Sequence, residues 1–436
     1  MSHPLLVQSV RSLGAFTALA ARLPEPGARL AATGLAGSSP AALIAALAEA
    51  RPERAWLLIA AGPEAAEQTV ADVEAVLGEG TALLYPQSEA LPYEEGEEQP
   101  ETGGLRVEAL EALLAGRARI LVATPRAVQE LAPAVRALDE LRLELRVGQE
   151  HRPADLVERL EAMGLERVPT VERVGQFALR GGILDVFGFG TPEPARIEFW
   201  GDEIESIRHF DILTQLSVNS AEVLHVLPVD LRGAPGAHPG DGAGHTAPAG
   251  ADAPHRSLLD YLPPHAVLVH LAGSDAAAEW QRTWDEVQRV YAALPAYRRT
   301  SAGPPARLFL SAADAAARSG RFPQLFAGAS APEGTPAIDF GITAPEPVER
   351  DMARLGALLR AAAERGERTL ILCDNEGQLE RLQELLAELG ASAGVSLATG
   401  SIAGGFVVLA APVLRVLTDH EIFRRTRRLR RKRQFR

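Results

Sequence analysis

Three short apolar runs separated by helix-patterned stretches constrain the first 140 residues most strongly. The runs are Trp56 to Ala61, Thr81 to Tyr85 and Ala118 to Ala123, and the stretches Ala65 to Leu77 and Leu105 to Leu114 lie between them. Pro86 stops the second run and Thr124-Pro125 closes the third. Apolar runs of this length without polar alternation belong to strands covered on both faces, and amphipathic helices between them supply the crossovers. The pattern predicts an α/β fold: a parallel sheet with helices on both sides.

The period changes over residues 142–226. Gln176 to Arg180, Ile183 to Phe187 and Ala195 to Trp200 read as short antiparallel strands, and Gly201-Asp202 forms a two-residue turn into Glu203 to Phe210. This predicts a small, strand-rich unit set into the chain. From 232 to 254 the sequence is mostly Gly, Ala, Pro, His and Asp without periodicity, a flexible loop by composition. Strand Ala266 to Leu271 and helix Ala276 to Ala293 then resume the α/β pattern. A last unit follows, with helix Pro347 to Arg365, strand Thr369 to Cys373, helix Gln378 to Leu389 and strand Phe406 to Ala410. A chain of 436 residues is too long for one core, and about three domains are expected.

Charge narrows the function. The formal charge is −13, yet Arg424 to Arg436 holds nine basic residues and no acidic one, which leaves the rest at −22. An acidic body repels nucleic acid, so any contact with it is local to that tail. The only lysine is Lys432, in the tail, so the body has no amine for a phosphate clamp or a Schiff base. A single cysteine, Cys373, excludes an intrachain disulfide and a cysteine-based zinc site. No apolar run reaches membrane-spanning length and the N-terminus lacks a secretion-signal pattern, so a cytoplasmic location is expected.

The glycine-rich stretch Leu30 to Ala41 sits where a first strand turns into a helix beginning near Pro40. A phosphate-binding loop needs Gly, four spacers, Gly, Lys and Ser or Thr. Counted from Gly34, the last three positions are Ser39, Pro40 and Ala41. Proline donates no N–H, and both the cation and the metal-holding hydroxyl are missing, so an ordinary strand–loop–helix turn is the better reading. The acidic run Glu94 to Glu98, between prolines, reads as a solvated loop, and Cys373 as a buried structural residue. No histidine, cysteine or carboxylate cluster has metal spacing, no catalytic constellation is apparent, and no cofactor is expected. In the strand Ala195 to Trp200, alternation sends Ile197 and Phe199 into a core and Arg196, Glu198 and Trp200 the other way. A solvent-facing tryptophan beside an arginine is the composition of a binding hot spot, and a neighbouring domain covering Trp200 is the alternative.

Gly175 to Phe187 closely resembles a signature of UvrB-like modules, as does Ala195 to Arg208 followed by Phe210-Asp211 and Thr214-Gln215. Tyr85-Pro86, Leu91 to Glu94, Thr124 to Ala127 and Leu417 to Phe423 resemble the N-terminal region of the transcription-repair coupling factors, the Mfd family. The resemblance implies a degenerate helicase-like domain 1 at 1–141 and 227–333, with an inserted α+β domain 2 at 142–226 that binds UvrA. It further implies a small α/β domain 3 at 334–415 and a basic connector at 416–436, including Arg424, Arg425, Arg427 and Arg428. UvrA contact carries over to Arg180, Arg196 and Trp200, the last standing where the family commonly has Phe. The family's full-length members are ATP-driven DNA translocases that bind RNA polymerase through further domains, so the chain is expected to be a fragment or a truncated product. Its expected role is an adaptor without an ATP site, recruiting UvrA to stalled polymerase in nucleotide excision repair. The rival readings are a UvrB-like damage-loading subunit that has lost its ATPase, and a metabolic α/β enzyme, for which the sheet pattern alone speaks.

Overall fold

The computed structural model describes residues 3–93, 100–135, 141–231 and 255–424. Glu94 to Glu98, the 232–254 stretch and the tail beyond Arg424, with Arg425, Arg427 and Arg428, lie outside the described residues. The chain has the expected mixed α/β architecture. Seven strands form one sheet in the order Ala337–Asp339, Arg29–Thr33, Gln324–Ala327, Val267–Leu271, Trp56–Ile59, Ile120–Ala123 and Ala82–Tyr85. Every pairing in it is parallel. The central strands are apolar throughout because both faces are covered. Trp56 and Leu58 point into one core with Ile120, Val122, Val267 and Val269. Leu57 and Ile59 point into the other, with Leu121, Ala123 and Leu268. Two-residue alternation within each strand thus divides the domain into two cores. The edge strand Ala337–Asp339 lies in the segment expected to open domain 3 and nevertheless completes this first sheet.

The inserted region forms a six-stranded sheet in the order Ser217–Ala221, Glu203–Phe210, Ala195–Trp200, Ile183–Phe187, Gln176–Arg180 and Glu166–Arg167. All its pairings are antiparallel except the last. Phe177, Leu184, Ile197, Ile204 and Ile207 from its inner face enter the same core as Leu57 and Ile59, so the two sheets share apolar burial. Helix Pro100–Leu114 makes that approach possible. A Cβ on Gly104 would lie 2.2 Å from the Phe189 ring, so only glycine lets the inserted region sit this close.

The third sheet has the order Val395–Thr399, Arg368–Cys373, Leu414–Thr418 and Phe406–Val408, parallel except for the last pair. One face, with Leu370, Leu372, Phe406 and Val416, joins the first domain's core, and the other packs its own helices through Ile371, Cys373 and Leu417. The helix expected from Pro347 begins instead at Met352. Glu349 and Arg350 take positive φ, and the Asp351 carboxylate accepts the Arg354 N–H at 2.9 Å, so a side-chain cap sets the start. Among the described residues, no helix is long and apolar enough to cross a membrane.

Candidate functional site: the outer face of the inserted sheet

Strand register places the candidate residues in rows on the sheet face turned away from the core. Ala178, Asp185, Arg196 and Arg208 stand in one row, and Arg180, Ile183, Glu198 and Ser206 in the next. Trp200 and Glu203 close the strand end, after a bulge at Glu198/Phe199. Residues of alternate rows share a face, so Arg180, Arg196 and Trp200 lie on one surface, with Arg196 and Trp200 about 13 Å apart at strand rise. Trp200 is 78% exposed. The covering of Trp200 by a neighbouring domain, held open above, is therefore absent among the described residues.

Arg196 differs from the expectation that it simply faces solvent. Its side chain is mostly buried, with Nε donating to Asp185 Oδ1 at 2.7 Å and Nη2 to Asp185 Oδ2 at 2.9 Å. Nη2 also donates to Gln215 Oε1 at 3.2 Å, and the guanidinium lies 4.5 Å over the Phe210 ring. The hydrogen bonds to Asp185 raise the Arg196 pKa above its already high ordinary value, so the charge is fixed. Arg180 donates from Nη2 to the same Asp185 carboxylate at 2.7 Å and keeps 49% of its side chain exposed. Two guanidiniums thus share one carboxylate that is only 1% exposed. Beside them Glu198 pairs with Arg208 and accepts from Ser206 Oγ at 2.9 Å; the Ser206 bond, then the Arg208 bond, hold its carboxyl below the usual range. Asp185, Phe210 and Gln215 lie in the stretches that carry the family resemblance but were not read as site residues. Asp185 left a further signal, a charge inside Ile183–Phe187 at the outward parity.

The glycine loop is built quite differently. Its helix runs Ser39–Ala50, and Gly34 and Gly37 have φ of +62° and +54°. Residues 403–405, which lead into the third sheet, lie against it. Ser38 N–H donates to the Gly404 carbonyl at 2.9 Å, and Gly404 N–H donates to Ser38 Oγ at 3.1 Å. Ser38 Oγ donates in turn to Asp72 Oδ2 at 2.5 Å, while Asp72 Oδ1 accepts from Ala403 N–H at 2.9 Å. A Cβ on Gly37 would lie 2.1 Å from the Gly405 oxygen and 2.6 Å from that of Gly404. Ser39 and Ala41 are buried, and Ser39 Oγ accepts from Ala36 N–H at 3.0 Å. A loop amide that would face a phosphate in a nucleotide site therefore bonds to the chain's own carbonyl.

Two further points correct the sequence reading. Arg424 is not a free cation of a basic run, because its Nη2 lies 3.1 Å from Glu349 Oε1. Asp374 comes within metal-ligand reach of the adjacent Asp419 and His420, far along the chain, which linear spacing concealed.

Comparison with known proteins matches residues 143–231 to the UvrB interaction domain family. The transcription-repair-coupling factor of Myxococcus xanthus is 29% identical over 474 residues, covering 91% of this chain and 39% of that protein. Its counterpart in Bacillus subtilis (strain 168) is 30% identical over 195 residues, 45% of this chain and 16% of the relative. That of Mycobacterium bovis is 35% identical over 191 residues, 42% and 15% respectively. The chain spans less than half the length of these relatives. It is a relative of the transcription-repair-coupling factors and carries, over residues 143–231, a UvrB interaction domain.

Proposed function

We propose that this chain is the adaptor part of a transcription-repair coupling factor, and that it docks UvrA on the outer face of its inserted sheet. The exposed Trp200 beside the Arg180–Asp185–Arg196 cluster carries this reading. An exposed indole next to arginines held in place by a buried carboxylate offers apolar area beside charges that need little ordering to bind. The half-exposed Arg180 guanidinium suits a carboxylate of the partner. Arg180, Arg196 and Trp200 are the contact residues, and Asp185 positions the first two.

In this reading the chain performs no nucleotide chemistry. Pro40 offers no N–H, no lysine stands at the loop, and Ser38 is bonded to Gly404. RNA polymerase and DNA are engaged by parts of such a factor that this chain does not span. Arg425, Arg427, Arg428 and their neighbours give weak, salt-sensitive attachment to nucleic acid. The adaptor works in the cytoplasm, where excision repair takes place.

Calorimetric titration of UvrA into the chain tests the docking face. Trp200→Ala should weaken binding about 30-fold, equivalent to about 2 kcal/mol, with the circular dichroism spectrum unchanged. Arg196→Lys should also weaken it, because an ammonium cannot reproduce a bidentate fork. Folded variants that bind UvrA as wild type does would overturn the assignment. Titration with ATP and magnesium should give no saturable heat; micromolar binding would overturn the non-catalytic reading.

A further inference from the structure

At the centre of the third sheet, strands Arg368–Cys373 and Leu414–Thr418 end side by side. The chain passes from the first of these outward to Val395–Thr399 and later returns to Leu414–Thr418 on its other side. Carboxyl ends where strand order changes direction are where open parallel sheets form ligand sites. Asp374 directly follows the first strand, and Asp419 and His420 directly follow the second. One ligand atom from each lies within 4.8 Å of the others. Asp374 is exposed, whereas Asp419 and His420 are 1% and 8% exposed, so the group has a buried floor and one open side.

The orientation of the imidazole is what points to a ligand. His420 Nε2 lies 3.2 Å from the carbonyl oxygen of Ala403. It is also 3.2 Å from Thr418 Oγ1, whose own proton goes to Glu421 Oε2 at 2.6 Å. Both neighbours accept, so Nε2 carries a hydrogen, and the ring's one lone-pair position is Nδ1. Nδ1 is buried without a hydrogen-bond partner and faces Asp419 Oδ1 at 3.9 Å. A lone pair opposite a carboxylate oxygen in a buried site calls for a cation between them. A backbone carbonyl holding the far ring nitrogen is the usual support of a metal-bound histidine.

We propose that Asp374, Asp419 and His420 bind one divalent transition-metal ion. One imidazole with two carboxylates fits Zn²⁺ or Mn²⁺ better than the all-oxygen preference of Ca²⁺ or Mg²⁺. Bonds of about 2.1 Å set ligand atoms roughly 3–4 Å apart, so small side-chain movements close the group on the ion. Water completes the shell on the Asp374 side. The ion ties helix Asp419–Phe423, which leads into Arg424, to the end of the neighbouring strand.

The test uses the full chain, stripped of metal by a chelator and titrated at pH 7 with Zn²⁺ by calorimetry and with Mn²⁺ by electron paramagnetic resonance. One ion per chain should bind with a dissociation constant of about 10 μM or below, and Asp374→Asn and His420→Gln should each weaken it about tenfold or more. Asp374 is on the surface, so its variant reports on binding even if His420→Gln fails to fold. Imidazole nitrogen resonances supply an independent reading: Mn²⁺ should broaden Nδ1 of His420 most strongly. Three results would each overturn the site: no one-to-one saturation below about 1 mM, undiminished binding in Asp374→Asn, or an Nδ1 that stays protonated with metal present. The last would identify a simple histidinium–aspartate pair.

Discussion

Two surfaces of this chain carry residues of the kind that bind ligands, and they face different things. The Gly34–Ala41 loop has the glycines and helix start of a phosphate site, but Ser38 is tied to Gly404 and Asp72. The outer face of the inserted sheet also has its charges paired, through Asp185, yet Trp200 stands 78% exposed beside them. In the first region the donors are spent on the chain itself and the loop packs against residues 403–405. In the second, internal pairing orients the arginines and leaves the aromatic surface open. What separates the two regions is where the hydrogen bonds go and whether an aromatic side chain is left open.

The largest effects should come from the closed region. Gly37→Ala places a methyl against a backbone carbonyl that cannot move aside, at a φ that disfavours any side chain. It should cost about 3 kcal/mol in urea unfolding and expose residues 401–405 to protease. A loss within 0.5 kcal/mol would mean that the contact is loose. Acid should act on the same domain. Burial lowers the His270 pKa from 6.5 to about 4, beneath the stacked Phe326 ring and beside Gln324. A depressed folded value means the unfolded chain takes up the proton first. The stability is complete above pH 6.5 and falls as the pH drops toward 4, by about 3 kcal/mol. Unfolding curves between these limits should show that slope, and His270→Gln should remove it.

A smaller loss is expected on the open face. Asp185→Asn takes away the carboxylate that two guanidiniums share and should destabilise the inserted sheet by about 2 kcal/mol. It should also weaken UvrA binding, because Arg180 and Arg196 lose their orientation. An Asp185→Asn chain that binds UvrA normally would show that the arginines need no positioning. Trp200→Ala should change the unfolding free energy by less than about 0.5 kcal/mol, as an exposed side chain with a binding role does.

Much of the architecture could be read before the structure, for identifiable reasons. Strands such as Val267–Leu271 are apolar at every position because both faces are covered, and Gly201-Asp202 marks its hairpin by local chemistry alone. The start of the helix at Met352 was misplaced because a cap at Asp351 overrode the apolar periodicity upstream. The outward parity of Arg196 and Trp200 was legible from alternation, but the fork to Asp185 was not, since strand register decides which rows meet. Likewise the contact of Ser38 with Gly404, and the meeting of Asp374 with Asp419 and His420, join residues with no local pattern in common.

Hydrogen exchange of the chain with and without UvrA sets the two regions against each other in one experiment. The account predicts slowed exchange in Gln176–Arg180, Ala195–Trp200 and Glu203–Phe210, with the 34–41 loop and residues 401–405 unchanged. Protection of the glycine loop while the Trp200 strand exchanges as freely as before would contradict it.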